Sequence, residues 1–303
     1  DNVLTRGNLR CGDVARGHAE AAITVEGRFE TGFVEHAYIE PEAGFAVPTA
    51  DGMLVTACTQ APYMDREEVA RVLGISDEQV VIQPTACGGG FGGKLDVSIQ
   101  PLLAVAARKV DHPVRSVYSR IESMASTTKR HPSQIWCKAS AHADGRLAAF
   151  EMTADFNTGA YASWGPTVAN RVPVHATGPY KVPHVWNRTR AVYTNDTPAG
   201  AFRGFGVPQA ALAQETALDD LAEKLGMDRW QIRRINAIGV GDTTPSGQIM
   251  EASAGLPQCL DALQPAWDTA IAAAERLLQS KVTPASGAEL LDQSIRGLKG
   301  KLN

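Results

Sequence analysis

An α+β fold, with mixed sheets and packed helices in two sub-domains, is what the sequence predicts. Three observations point there. Strand-like alternation and helix-like periodicity both occur, but never in a regular strand-helix-strand order. The 303 residues suffice for about two units at roughly 150 residues each. A composition of 44% hydrophobic and 20% charged residues, without internal repeats, belongs to an ordinary folded chain and not to a repetitive or disordered one.

Taken in order, "DNVLTRGNLRCGDVARG" opens without an initiator methionine and reads as mid-domain loop, which suggests a fragment or processed subunit. Alternation over 21–33, and again over 53–59, predicts strands. Asp65 and Glu68 have capping-box spacing, and Val69, Val72 and Leu73 then share a helical face up to Gly74. A strand over 79–84 runs into the glycine-rich "CGGGFGGK" of 87–94, and Pro101 falls in the first turn of an apolar helix continuing to 109. Residues 113–119 predict another strand, and two alternating stretches around Asp144-Gly145 predict a hairpin. The stretch 157–195, rich in Gly, Pro, Tyr and Trp, reads as a long irregular segment, which in a compact domain is more often functional than idle. "GAFRGFGVPQ" (200–209) leads into a helix with Leu218, Leu221, Ala222 and Leu225 on one face and Gly226 at its end. Asp228 is placed to cap a short helix after it, and beyond 240 alanine-rich helix mixes with polar linker.

A formal net charge of −4 carries no basic footprint for nucleic acid. No apolar run approaches the ~20 residues of a membrane span and no signal segment opens the chain, so a soluble, cytoplasmic protein is expected. Five cysteines, at 11, 58, 87, 137 and 259, are odd in number and irregular in spacing, which argues against a disulfide framework or a CxxC metal site. Reduced thiols are expected, Cys87 packing beside the glycine run.

Gly88 to Leu95 reads G-x-x-x-x-G-K-L, one hydroxyl short of a phosphate-binding loop, because Leu95 cannot hold Mg²⁺. A nucleotide-binding protein, or a non-catalytic structural fragment whose glycines only turn the chain, both remain open on these residues. The second motif favours another reading. Phe202 and Phe205 again alternate with glycines, with Arg203 between them, so two loops of one design suggest two walls around a flat, anionic cofactor.

Together with the helix "QETALDDLAEKLGMD" and the segments "ACTQAP" (57–62), "KRHP" (129–132), "GAYAS" (159–163), "GPYKVPHV" (178–185) and "INAIGVGDTTPSGQ" (235–248), these loops resemble the molybdenum-binding portion of the xanthine dehydrogenase and aldehyde oxidase family. The resemblance covers most of residues 20 to 250. It implies a molybdopterin-binding domain of that type: a first sub-domain over 1–150 with the loop 88–94, a second segment over 151–250 with the AFRGFG loop, and a helical or linker segment over 251–303 leading to a missing C-terminal part. It also implies a molybdenum-carrying molybdopterin, as the cytosine dinucleotide, and oxidation of an aldehyde or N-heteroaromatic substrate with water-derived oxygen. 2Fe-2S centres and FAD are implied on other domains or subunits.

Residue by residue, Gln60 resembles the glutamine whose amide reaches the cofactor's apical oxo ligand. Gly90, Phe91 and Gly92 resemble the loop that approaches the metal, and Ala201, Phe202 and Arg203 the second cofactor segment, with the Arg203 backbone N–H facing the cofactor. No side chain is implied as a direct metal ligand. Phe205 resembles a ring that packs on substrate. Leu95 stands where purine-hydroxylating members carry a glutamate, which argues against xanthine; Arg171 falls where those enzymes carry a substrate arginine, which keeps anionic or heteroaromatic substrates open. Gly204 stands where the carbon monoxide branch has a copper-binding cysteine, disfavouring that reaction. The family's general-base glutamate is expected beyond the end of this chain, in a C-terminal partner portion, and Glu289 reads as a solvated helix face instead.

Overall fold

The computed structural model describes residues 2–279. The chain opens with β1 (Val3–Cys11), α1 (Val14–Glu20) and β2 (Ile23–Thr31). It then builds a smaller unit from β3 (Ala43–Thr49), β4 (Gly52–Ala57), α2 (Pro62–Leu73), β5 (Val80–Pro84), α3 (Gln100–Val110) and β6 (Val114–Val117). After α4 (Arg120–Ser126) it returns through β7 (Ser133–Ala141), β8 (Leu147–Gly159), α5 (Gly165–His175), β9 (His184–Tyr193), α6 (Val207–Leu225), α7 (Arg229–Asn236) and α8 (Leu256–Gln279).

Both sheets are mixed. The larger runs β1-β9-β8-β7-β2, with β8 and β9 parallel; the smaller runs β5-β4-β3-β6, with β4 and β5 parallel. Residue 150 lies inside β8, and the small sheet is an insertion between β2 and β7, which pair with each other along their whole length. Met152, Phe156 and Val185 of the large sheet bury against Val168 and Val172 of α5 and Leu218 and Leu221 of α6. Val55, Val69, Leu103 and Ala104 form the second core.

The hairpin around Gly145 (φ 85), the glycine ends of α2 and α6, and the Asp228 cap of α7 form as the sequence predicts. The opening residues do not form a loop: they supply an edge strand and a helix. Nor is 157–195 irregular, because it folds into α5 and β9. The reason lies in β9, which turns Asn187 and Thr189 inward together with Val185 and Ala191. Pro173 has no N–H, which leaves the Ala169 carbonyl one turn earlier without its helical donor. Thr189 Oγ1 donates to that carbonyl, and Asn187 Nδ2 donates to the Pro173 carbonyl at 3.0 Å. A Cβ at Gly7 would lie 2.4 Å from the same Ala169 oxygen, so β1 can pass only as glycine there. Thr189→Val, equal in shape but without the donor, is expected to lower stability by about 1–3 kcal/mol in urea unfolding.

Asp65 is not a cap. Ala61 occupies the N-cap position, Pro62 opens α2, and Asp65 is buried, accepting from Gln100 Nε2 at 3.1 Å. Val72, expected on the buried face with Val69 and Leu73, is exposed. Burial pushes the Asp65 carboxyl up to about 6 from 3.8. The folded state therefore holds this proton more tightly than the unfolded state between those values. Its contribution to stability is present below about pH 4 and is lost as pH rises through 6. Asp65→Asn is expected to raise the urea midpoint at pH 8 and to lose that advantage at pH 4.

Candidate functional site

The loop at 87–94 and the loop at 200–206 interlock. Arg203 N–H donates to the Phe91 carbonyl at 2.9 Å, and a Cβ on Gly92 would meet the Ala201 carbonyl oxygen at 2.7 Å. The loops share a conformational device. Phe91 (φ 53) and Phe205 (φ 48) are both left-handed, and each is followed by a glycine at positive φ, Gly92 (φ 103) and Gly206 (φ 83). A phenylalanine there is strained by about 1–2 kcal/mol and persists only where its surroundings dictate it. The Phe91 ring lies beside Gly89, whose added Cβ would stand 3.3 Å from its Cε2, and half of the residue stays exposed.

Gln60, just past β4, holds the first loop from behind. Its Oε1 accepts from the Gly92 and Lys94 amides at 3.0 and 3.3 Å, and a Cβ on Gly90 would lie 2.4 Å from that oxygen. Because the carbonyl end is held by two donors, the Nε2 end is left as the group presented outward. Among the described residues, the amides of Gly89, Gly90, Phe91, Ala201 and Phe202 have no protein acceptor.

Lys94 has a different part. Its Nζ is buried, 2.7 Å from Glu40 Oε2 and 4.7 Å from the centre of the Tyr38 ring, and Glu40 also accepts from Gly88 N–H at 2.8 Å. Its charge is consumed inside the protein, and Leu95 to Ile99 separate it from the first residue of α3, so the loop lacks both the lysine and the helix start of a phosphate loop. Cys87, expected to pack, is exposed, its Sγ 3.3 Å from the Gly89 carbonyl.

On the second wall, Phe202 turns inward. His36 stacks on it at 4.1 Å and Arg130 covers it at 3.8 Å, while Arg130 Nη2 donates to the Arg203 carbonyl at 2.9 Å. His36 Nε2–H donates to the Ala201 carbonyl at 2.8 Å, and burial lowers its pKa, keeping the ring neutral. The Arg203 amide, expected to face a cofactor, is engaged by Phe91 instead. Phe205 is half-buried, with Trp164 edge-on to it at 5.8 Å, and Val168 and Val172 of α5 close on Gly206. Leu95 is half-buried and its N–H donates to the Gly92 carbonyl. Arg171 is exposed on α5, one residue before Val172, and forms no ion pair among the described residues. Glu289 lies outside the described residues.

His36, Arg130 and Trp164 also belong to these walls, beyond the residues to which the sequence points. Arg130 at least sits within "KRHP"; the others carry no local signal.

Two interlocked glycine loops, backed by a glutamine and edged by free amides and aromatic rings, define a cradle for a flat, anionic cofactor. The chain belongs to the molybdopterin cofactor-binding domain family, whose match covers residues 1–237. It is 44% identical over 255 residues to the nicotinate dehydrogenase large molybdopterin subunit of Eubacterium barkeri, covering 84% of this chain and 60% of that one. It is 34% identical to the xanthine dehydrogenase molybdenum-binding subunit of Escherichia coli over 86% of this chain and 35% of that protein. The aldehyde oxidoreductase structure from Desulfovibrio gigas superposes with a TM-score of 0.86 at 32% identity, over 93% of this chain and 31% of that one. The chain thus spans between about a third and three fifths of these relatives.

Proposed function

We propose that this chain forms the cofactor-cradling part of a molybdenum hydroxylase that oxidises an aldehyde or N-heteroaromatic substrate with oxygen derived from water. The interlock of Phe91 with Arg203, with Gln60 fixed behind it, carries this reading. The residues fit the group: Gly90 and Gly92 occupy positions a Cβ would fill, and the unpaired amides at 89–91 and 201–202 suit an anionic pterin edge. When bound, the molybdenum centre would supply the electron sink and activate the water that provides the oxygen.

The chain's own residues then divide the work. Gln60 Nε2 would donate to the cofactor while its Oε1 keeps the loop in shape. Phe91 and Phe205, with Trp164 behind, would confine a flat substrate and exclude water, with Leu95 on the floor. Arg171 would draw an anionic substrate toward the opening. The general base would come from a C-terminal partner portion, and electrons would leave through 2Fe-2S and FAD partners; the cytosine dinucleotide form of the pterin and a cytoplasmic location belong to the same proposal.

The observations favour this over nucleotide binding, since Lys94 is buried against Glu40. The assembled enzyme should contain about one molybdenum per copy of this chain by inductively coupled plasma mass spectrometry, and should transfer ¹⁸O from labelled water to product. Absence of molybdenum together with heat on Mg-ATP titration would reverse the assignment.

A further inference from the structure

We propose that Asp96 is a positioning residue that, through Ser163, fixes the Trp164 indole behind Phe205 and so sets how well the pocket accepts flat aromatic substrates. The substrate half of this rests on the hydroxylase reading above; what Asp96 holds rests on geometry alone.

Asp96 directly follows Leu95. Ser163 Oγ lies 2.8 and 2.9 Å from its two carboxylate oxygens, so one hydroxyl proton is shared across the whole acceptor. Among the described residues Asp96 makes no ion pair. Burial pushes its carboxyl up, opposed by the Ser163 and Thr128 hydroxyls. The second loop accommodates it closely: a Cβ on Gly200 would stand 2.4 Å from Asp96 Oδ2 and 2.7 Å from Thr128 Oγ1. A half-buried acid without a cation carries a cost, and the hydroxyl that bonds it here, Ser163 Oγ, fixes its direction.

Ser163 itself is left-handed, at φ 38, a conformation a serine keeps only when held. The next residue, Trp164, is the N-cap of α5, and its ring stands 87° to that of Phe205. Asp96 is therefore joined through the backbone to Leu95 on one wall and through one hydrogen bond to the Trp164–Phe205 pair on the other. Losing that hydrogen bond frees Ser163 to relax toward negative φ, which would swing the indole away. A wall displaced by about 1 Å no longer fits a flat ring closely, which weakens binding of flat substrates more than of compact ones.

The test uses the complete enzyme carrying Asp96→Ala, Asp96→Asn or Trp164→Ala, with nicotinate as the flat probe, propionaldehyde as the compact one, and crystal structures of the variants. Asp96→Ala should raise KM for nicotinate about tenfold with kcat within about twofold, change kcat/KM for propionaldehyde by less than about twofold, and move the indole off Phe205. Trp164→Ala, which removes the wall itself, should raise KM for nicotinate at least as much. Asp96→Asn keeps an acceptor for Ser163 and should recover KM to within about threefold of wild type. An indole unmoved in Asp96→Ala, equal losses on both probes, or no recovery in Asp96→Asn each overturns the proposal. If the wild-type enzyme oxidises neither probe, the hydroxylase reading fails, and the indole position in Asp96→Ala alone decides whether Asp96 positions it.

Discussion

Gly92→Ala is expected to empty the site of molybdenum, to below about a tenth of the wild-type content, and to lower stability by about 3 kcal/mol or more. The new Cβ would sit 2.7 Å from the Ala201 oxygen, 2.9 Å from its carbonyl carbon and 3.1 Å from the Phe202 nitrogen. These are backbone atoms and cannot rotate aside. At φ 103 the alanine is also outside the region L-residues tolerate, so relief has to come from separating the two loops and breaking the Arg203 to Phe91 hydrogen bond. Gly74→Ala is the control. It too has positive φ, but nothing lies within 4 Å of its Cβ, so it should cost about 1 kcal/mol and leave molybdenum content unchanged. Metal analysis and urea unfolding of both variants in the assembled enzyme separate a general glycine penalty from loss of the cradle.

Gln60→Glu should leave the loop standing while turnover falls about 10²-fold. A carboxylate still accepts from the Gly92 and Lys94 amides, so the urea midpoint is expected to stay near wild type. What it cannot do is donate from the atom that replaces Nε2, and it places a negative charge before an anionic cofactor. Gln60→Ala should behave differently, leaving two loop amides without an acceptor and destabilising by about 1–3 kcal/mol. Equal turnover in Gln60→Glu and wild type would remove Gln60 from the cofactor's contacts.

The two walls were legible because each is a continuous run of glycine and phenylalanine, and the requirement for close approach is written within the run itself. Their supports were not, because His36 reaches Ala201, and Glu40 reaches Lys94, only through tertiary folding. A lysine ending a glycine loop looks like a phosphate reader until Glu40 is seen beside it. The most extensive misreading, β1 with α5 and β9, has another origin. Periodicity assumes apolar residues face inward, whereas Asn187 and Thr189 face inward to serve carbonyls of a proline-containing helix. Asp65 illustrates the same limit: the spacing suits a cap, but Pro62 starts the helix early and carries the carboxyl into the interior.

The interlock of the loops also sets an order in time. The glycine loop at 87–94 has local supports in Gln60 and Glu40, but its outer face at Phe91 and Gly92 is closed only when residues 201–203, far downstream, have folded against it and Arg203 has engaged Phe91. During synthesis the first wall therefore waits without its counterpart, while the small sheet that bears it can already assemble from local strands. Under the proposed function, cofactor arriving before the second wall is in place would meet half a receptacle, so its binding would follow the docking of residues 201–203 on the first loop.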